Sequence, residues 1–163
     1  MPAIVTAPIS YSVDGEQYIL AATGAGGGSI IAAPQVVRQR QVGRLVAFKL
    51  GGTAVLPGDP QPAGPMIQVT ERWPAETVER GGALYLEFCG RCHGLNTRAS
   101  NIVPDLRRSA ALADAASWRA IVEDGTLAAN GMIAWKALMP EGAAEMIRAY
   151  VAAQAREGAA GTP

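Results

Sequence analysis

The stretch EFCGRCHGLN, residues 87–96, holds both cysteines and the only histidine of a 163-residue chain. Two thiols at this spacing are compatible with three chemistries. They can form a redox pair, supply half of a zinc site, or attach a c-type haem through two thioether bonds. A structural zinc site takes four Cys or His ligands, usually as two pairs from separate places. This chain offers Cys89, Cys92 and His93, and the last two are neighbours, which is poor tetrahedral geometry. A thioredoxin-like pair opens a helix after a β-strand, whereas here the motif ends a helical pattern. Covalent haem accounts for all five positions. Cys89 and Cys92 would fix the porphyrin, and His93 would then lie beneath the ring as an iron ligand.

A second iron ligand is expected on the far side. Met132, in the glycine-containing loop AANGMIAW ahead of the last helix, is the candidate. A thioether there raises the potential and suits electron transfer rather than oxygen chemistry. Met139 in ALMP is its rival, Met146 falls on a helix stripe, and methionines commonly just fill a core. In NIVPDLRRS, the carbonyl of Pro104 could accept the other ring N–H of His93, or Pro104 could be a turn proline. Arg107 and Arg108 could pair with haem propionates or stay solvated.

The elements that must position these residues fall into three segments. Residues 1–52 read as β: ISYSVDGEQYILAAT is two apolar and β-branched runs around Asp14-Gly15, a hairpin-turn dipeptide. After the glycine cluster GAGGG, the run GRLVAFKL is a further strand. Three strands cannot enclose a core, so this segment needs a partner surface. Residues 53–74, rich in Pro and Gly without periodicity, read as a semi-extended linker. Residues 75–158 are helical, with a short tail at 159–163. AETVERGGALYLEFC sets Val78, Gly81, Tyr85 and Phe88 on one face. DAASWRAIVEDG has Asp114 as N-cap and Gly125 as stop. PEGAAEMIRAYVAAQAREG runs from Pro140 to Gly158 with Ile147, Tyr150 and Val151 along one stripe.

Composition bounds the rest. Hydrophobic residues make up 49% and charged residues 17%, as in a folded chain. Fourteen basic residues balance fourteen acidic ones, so no overall field draws the chain to nucleic acid or anionic lipid. No apolar run reaches the roughly 18–20 residues that span a bilayer. The first twenty residues lack the basic start and apolar stretch of a signal peptide. Aromatic residues are scarce, so the core must be filled in another way, and a large flat cofactor is one answer.

With these residues in hand, segment 75–158 resembles a class I cytochrome c domain. The match runs in order through Gly81, Tyr85, Cys89-Gly-Arg-Cys92-His93-Gly, VPDLR, Gly131-Met132 and IRAYV. It is most similar to the haem domain that ends quinohaemoprotein, or PQQ-dependent, alcohol dehydrogenases. TAPISYSVDGEQYILAATGAGGG and GRLVAFKLGGTAVLP resemble the end of the propeller that binds pyrroloquinoline quinone in those enzymes. The chain departs with Ile133 and Trp135 at positions where the family has Pro and Phe, and with Gly24-Ala25-Gly26 where it usually has a tryptophan. The fold class implied is mainly α, a helical cytochrome domain preceded by a short β segment.

The resemblance implies one covalent haem c, with His93 and Met132 as axial ligands. PQQ, calcium, the catalytic aspartate and a vicinal disulfide belong to propeller blades beyond these residues, so this chain alone is not expected to oxidise an alcohol. The implied partners are a quinoprotein dehydrogenase propeller or subunit and a redox partner, whether copper protein, cytochrome or quinone-linked acceptor. Haem c attachment implies a periplasmic location. Two other readings stay open: a stand-alone soluble cytochrome carrier, and a non-haem interaction module whose cysteines are structural or redox-active.

Overall fold

The structure, a computed structural model, describes residues 4, 6–24, 43–57, 64–99 and 103–160. Most of the glycine cluster, the middle of the proline-rich stretch and the end of the tail lie outside the described residues. The N-terminal part is an antiparallel sheet of β1 (Ile9–Val13), β2 (Glu16–Thr23) and β3 (Arg44–Lys49), in that order. The expected hairpin forms at Asp14-Gly15, where φ is 52° and 79°, the left-handed pair that a two-residue hairpin turn requires. Tyr11 pairs with Tyr18 across β1–β2, and Ile19 pairs with Phe48 across β2–β3. Side chains alternate between faces, so Ile9, Tyr11, Val13 and Leu45 share one face, while Ile19, Val46 and Phe48 share the other. Most of these are exposed, Leu45 by 70%. Apolar residues on both faces are the pattern of a strand set covered on both sides.

The helical part comprises α1 (Ala75–Phe88), α2 (Gly90–His93), α3 (Ala115–Val122) and α4 (Ala143–Ala160), with 3₁₀ turns between them. The Asp114 carboxylate caps α3 by accepting the amides of Ala116 at 3.2 Å and Ser117 at 3.0 Å. Beyond its end, Gly125 takes a φ of 71°. The last helix starts at Ala143 rather than Pro140, because Gly142 takes a φ of 77°, which no helix continues. At its other end it runs two residues past Gly158.

Helices α1 and α4 cross in near contact. A Cβ at Gly81 would stand 1.9 Å from the carbonyl oxygen of Met146, so only glycine fits. Tyr85, one turn on, is fully buried and meets Tyr150 with ring centroids 5.4 Å apart. The remaining core is Leu112, Trp118, Val122, Ile147 and Val151 with the small faces of Ala144, Ala152 and Ala155. This is how an alanine-rich helix with few aromatics packs tightly.

The second half of the expected linker differs from a semi-extended tether. Residues 64–74 form no regular element, yet Val69 is buried in the helical core and Ile67 and Trp73 pack on it. The Pro and Gly content fits the lack of helix or strand, while MIQVTERW supplies apolar side chains that dock.

Replacing Gly81 by alanine gains about 1 kcal/mol of helix propensity but forces the helices apart, at a cost of roughly 3 kcal/mol. Chemical denaturation is therefore expected to show Gly81→Ala destabilised by about 2 kcal/mol. Gly82→Ala, whose methyl meets only the edge of the Tyr150 ring at 3.2 Å, should stay within about 1 kcal/mol of the parent. Equal stability of both variants would contradict the crossing described.

Candidate haem site

Cys89 follows the last residue of α1, and Cys92 and His93 lie on the four-residue helix α2. The turn is fixed by backbone bonds from the amides of Cys92 and His93 to the carbonyl of Cys89, at 3.1 and 2.9 Å. Tyr85 holds it from below, donating its hydroxyl to the carbonyl of Gly94 at 2.6 Å. Burial drives the Tyr85 hydroxyl well above the ordinary phenol range, so it remains a donor at any working pH. The chain then leaves through three residues with positive φ, Gly94, Asn96 and Thr97.

Both thiols are free, Cys89 buried and Cys92 exposed. Burial, with a smaller contribution from Cys92, pushes the Cys89 thiol up to about 12. His93 is buried, and its Nδ1 lies 3.0 Å from the carbonyl oxygen of Pro104. A carbonyl can only accept, so Nδ1 carries the proton and Nε2 keeps its lone pair. Desolvation lowers the His93 pKa, with the Pro104 bond and Asp105 opposing it. The imidazole is thus neutral at neutral pH, as a metal ligand must be.

These groups share one cavity of about 250 Å³. Its walls are Phe88, Cys89, Cys92 and His93 on one side, Trp118, Ile121 and Val122 from α3, and Val103, Pro104, Leu106, Ser109 and Ala111 from the intervening loop. The stretch from Leu127 to Trp135 closes it and brings Met132 into the lining. That loop is anchored by the Trp135 amide on the Val122 carbonyl at 2.9 Å, and the Trp135 ring meets Phe88 edge-on at 5.8 Å. Gly125 lies against Ala134, where a Cβ would stand 2.8 Å from the alanine methyl.

The structure therefore brings Cys89, Cys92, His93, Pro104 and Met132 together. Met132 and Met139 both pack on the helical core, and of the two only Met132 lines the cavity. Arg107 also lies outside the lining: its guanidinium forms a fork on the Asp105 carboxylate, with Nε 2.9 Å from Oδ1, while Nη1 approaches Gly158. Arg108 reaches the same carboxylate at 3.6 Å. Among the described residues, no three His, Cys, Asp or Glu side chains cluster as a metal site. Two free thiols, an imidazole presenting Nε2 and a thioether around an apolar cavity fit a haem c. The sequence did not reveal the roles of Tyr85 toward Gly94, Trp118 in the wall, or Phe88 against Trp135. A buried tyrosine spaced one turn before the first cysteine is the one signal that could have pointed there.

The fold and site together define a c-type cytochrome domain. Residues 76–151 match the model of the family described as cytochrome c oxidase, cbb3-type, subunit III. Over 135 residues the chain is 37% identical to lupanine 17-hydroxylase [cytochrome c] of a Pseudomonas species, covering 80% of this chain and 19% of that protein. It is 32% identical over 157 residues to quinohemoprotein alcohol dehydrogenase ADH IIB of Pseudomonas putida, covering 91% of this chain and 22% of the relative. The solved structure of quinohemoprotein alcohol dehydrogenase ADHIIG from Pseudomonas putida HK5 superposes with a TM-score of 0.65 at 26% identity, over 94% of this chain and 23% of that one. That from Comamonas testosteroni gives 0.62 at 26% identity, over 98% and 22%. The chain spans about a fifth of the length of these relatives. Residues 76–151 form a cytochrome domain of the kind that model describes, and the chain's homologues are C-terminal cytochrome regions of quinohaemoprotein alcohol dehydrogenases. A domain of this kind carries haem c and transfers electrons.

Tyr85→Phe keeps the ring on Tyr150 but strips the Gly94 carbonyl of its buried donor. A loss of about 1–3 kcal/mol is expected in chemical denaturation, with far-UV circular dichroism unchanged. No loss would mean that this hydroxyl does not tie the cysteine turn to α1.

Proposed function

We propose that the chain carries a single haem, bonded covalently through Cys89 and Cys92, and works as the electron-transfer part of a PQQ-dependent alcohol dehydrogenase in the periplasm. The observation that carries this reading is the placement of His93. Its Nδ1–H is committed to the Pro104 carbonyl, in an apolar cavity shared with both thiols and Met132. The haem would supply one-electron exchange. Everything else falls to the chain's own side chains. Cys89 and Cys92 would hold the macrocycle, and the Pro104 carbonyl orients the imidazole and would raise its basicity as a ligand. Met132, also in the cavity lining, would offer its sulfur as the second ligand, on a loop pinned to α3 and Phe88 through Trp135. Trp118, Ile121, Val122 and Leu106 exclude water from the cavity, which is one of the levers on a haem potential.

The sheet of β1, β2 and β3 supports the rest of the reading. Its apolar residues on both faces suit insertion between blades of a quinoprotein propeller, which would hold PQQ and calcium and hand electrons to this domain. From there electrons would leave to a copper protein, a cytochrome or a quinone-linked acceptor. Among the described residues no helix is long and apolar enough to cross a membrane.

Two measurements test this. Intact mass of the haem-bearing polypeptide under denaturing conditions should exceed the apo-chain by one haem, and Cys89→Ala with Cys92→Ala should abolish that increment. Haem lost on denaturation would sink the covalent reading. If a chain no heavier than these residues plus one haem carries the group in the natural host, a separate carrier or subunit is indicated. Separately, Met132→Ala should retain the haem but change its spin state and lower its midpoint potential, while Met139→Ala leaves both unchanged. The reverse pattern would assign the second ligand to Met139.

A further inference from the structure

We propose that residues 66–73, which join the β part to α1, are a brace that positions the loop on the histidine side of the haem, with Arg148 as the positioning residue. The proposal rests on the haem reading above. It starts from a guanidinium that is only 1% exposed on α4. Burying a charge is costly, and well-packed apolar residues commonly do as well for stability. Arg148 is nevertheless fully engaged. Its Nε and Nη2 donate to the Glu145 carboxylate at 2.9 and 3.0 Å, Nη2 also pairs with Glu71, and Nη1 donates to the carbonyl of Leu112 at 3.2 Å. Its charge lies 4.8 Å from the ring centre of Trp73, whose Nε1 in turn donates to Glu145 at 3.0 Å. Two of these partners, Glu71 and Trp73, belong to the connecting segment, and one, Leu112, to the loop that lines the cavity through Ala111.

The other end of the segment makes a second, independent tie to the same loop. The amide of Ile67 donates to the carbonyl of Arg107 at 2.8 Å. One residue earlier, Leu106 lines the cavity, and three residues earlier Pro104 accepts the His93 ring N–H. Between the two ties Val69 is buried in the helical core. The connector is thus tied to the 104–112 loop at two points, directly at Arg107 and through Arg148 at Leu112, and its position bears on where the Pro104 carbonyl stands. Releasing the brace lets that carbonyl retreat from Nδ1, and a less polarised imidazole is a weaker donor to oxidised iron. The midpoint potential therefore rises when the brace is loosened.

The test uses the haem-loaded full chain and Glu71→Gln, a change at a half-exposed side chain that spares the core. Two readouts are taken: the rate of tryptic cleavage after Arg72, which does not depend on haem, and the midpoint potential. Loss of a charge-assisted contact is expected to speed cleavage about tenfold and to raise the potential. Glu16→Gln, which breaks the exposed pair with Lys49 in the sheet, should change neither. Arg148→Lys, which keeps the charge but not the fork, should follow Glu71→Gln if it folds. Faster cleavage with an unchanged potential would reduce the segment to a packed tether and overturn the proposal. Unchanged cleavage would overturn it too, by showing that Glu71 does not hold the segment. A parent chain that takes up no haem would sink the haem reading instead, and that is seen before any variant is made.

Discussion

The contact between Gly81 and the Met146 carbonyl is the constraint on which the helical part depends. With no side chain at that point, α1 and α4 approach backbone to backbone, and the register of one helix on the other is set to within a residue. That register places Tyr85 over the crossing, its ring against Tyr150 and its hydroxyl on Gly94. The end of α1, and with it Cys89, is thereby aimed at the cavity. A slip of one residue would turn the cysteine about 100° around the helix and break the alignment of thiols and imidazole.

Around the cavity, polarity is concentrated on one edge and excluded elsewhere. His93 is kept neutral by desolvation and oriented by a backbone oxygen, while the walls facing it are aromatic and aliphatic. The charges that could have intruded are held back in pairs. Asp105, next to Pro104, is matched by Arg107 and Arg108, and Arg148 is matched by Glu71 and Glu145. In the loop behind the imidazole the Asp105 carboxylate, which lies close enough to act on His93, is thus compensated locally.

What was legible in the sequence was whatever one residue decides locally. Asp14-Gly15 made its turn, Asp114 made its cap, and the Cys-x-x-Cys-His spacing named its cofactor. Pro104 as partner of His93 was open between two readings, because the choice depends on which loop faces which, whereas Met132 was already preferred to Met139 for its place in a glycine-flanked loop. Arg107 was open between a haem propionate and solvent, and its guanidinium instead forks on the aspartate two residues before it. The connector was the least legible part. Prolines and glycines on either side of MIQVTERW obscured its apolar residues, and no local rule says that an irregular segment will find a groove along a helix formed 70 residues later. The start of α4 failed for a similar reason, since Pro140 is a common first residue but Gly142 took the left-handed turn.

The acceptor for the His93 ring belongs to the main chain. Any amino acid at position 104 would present a carbonyl there, so the bond cannot be deleted by a side-chain change at its own site. Its inheritance is distributed instead over the residues that hold the loop in place. Ligand strength would therefore shift through remote, individually mild replacements. The residue that looks indispensable in the motif would be among the more forgiving, and the quiet positions behind it would carry the memory of the potential.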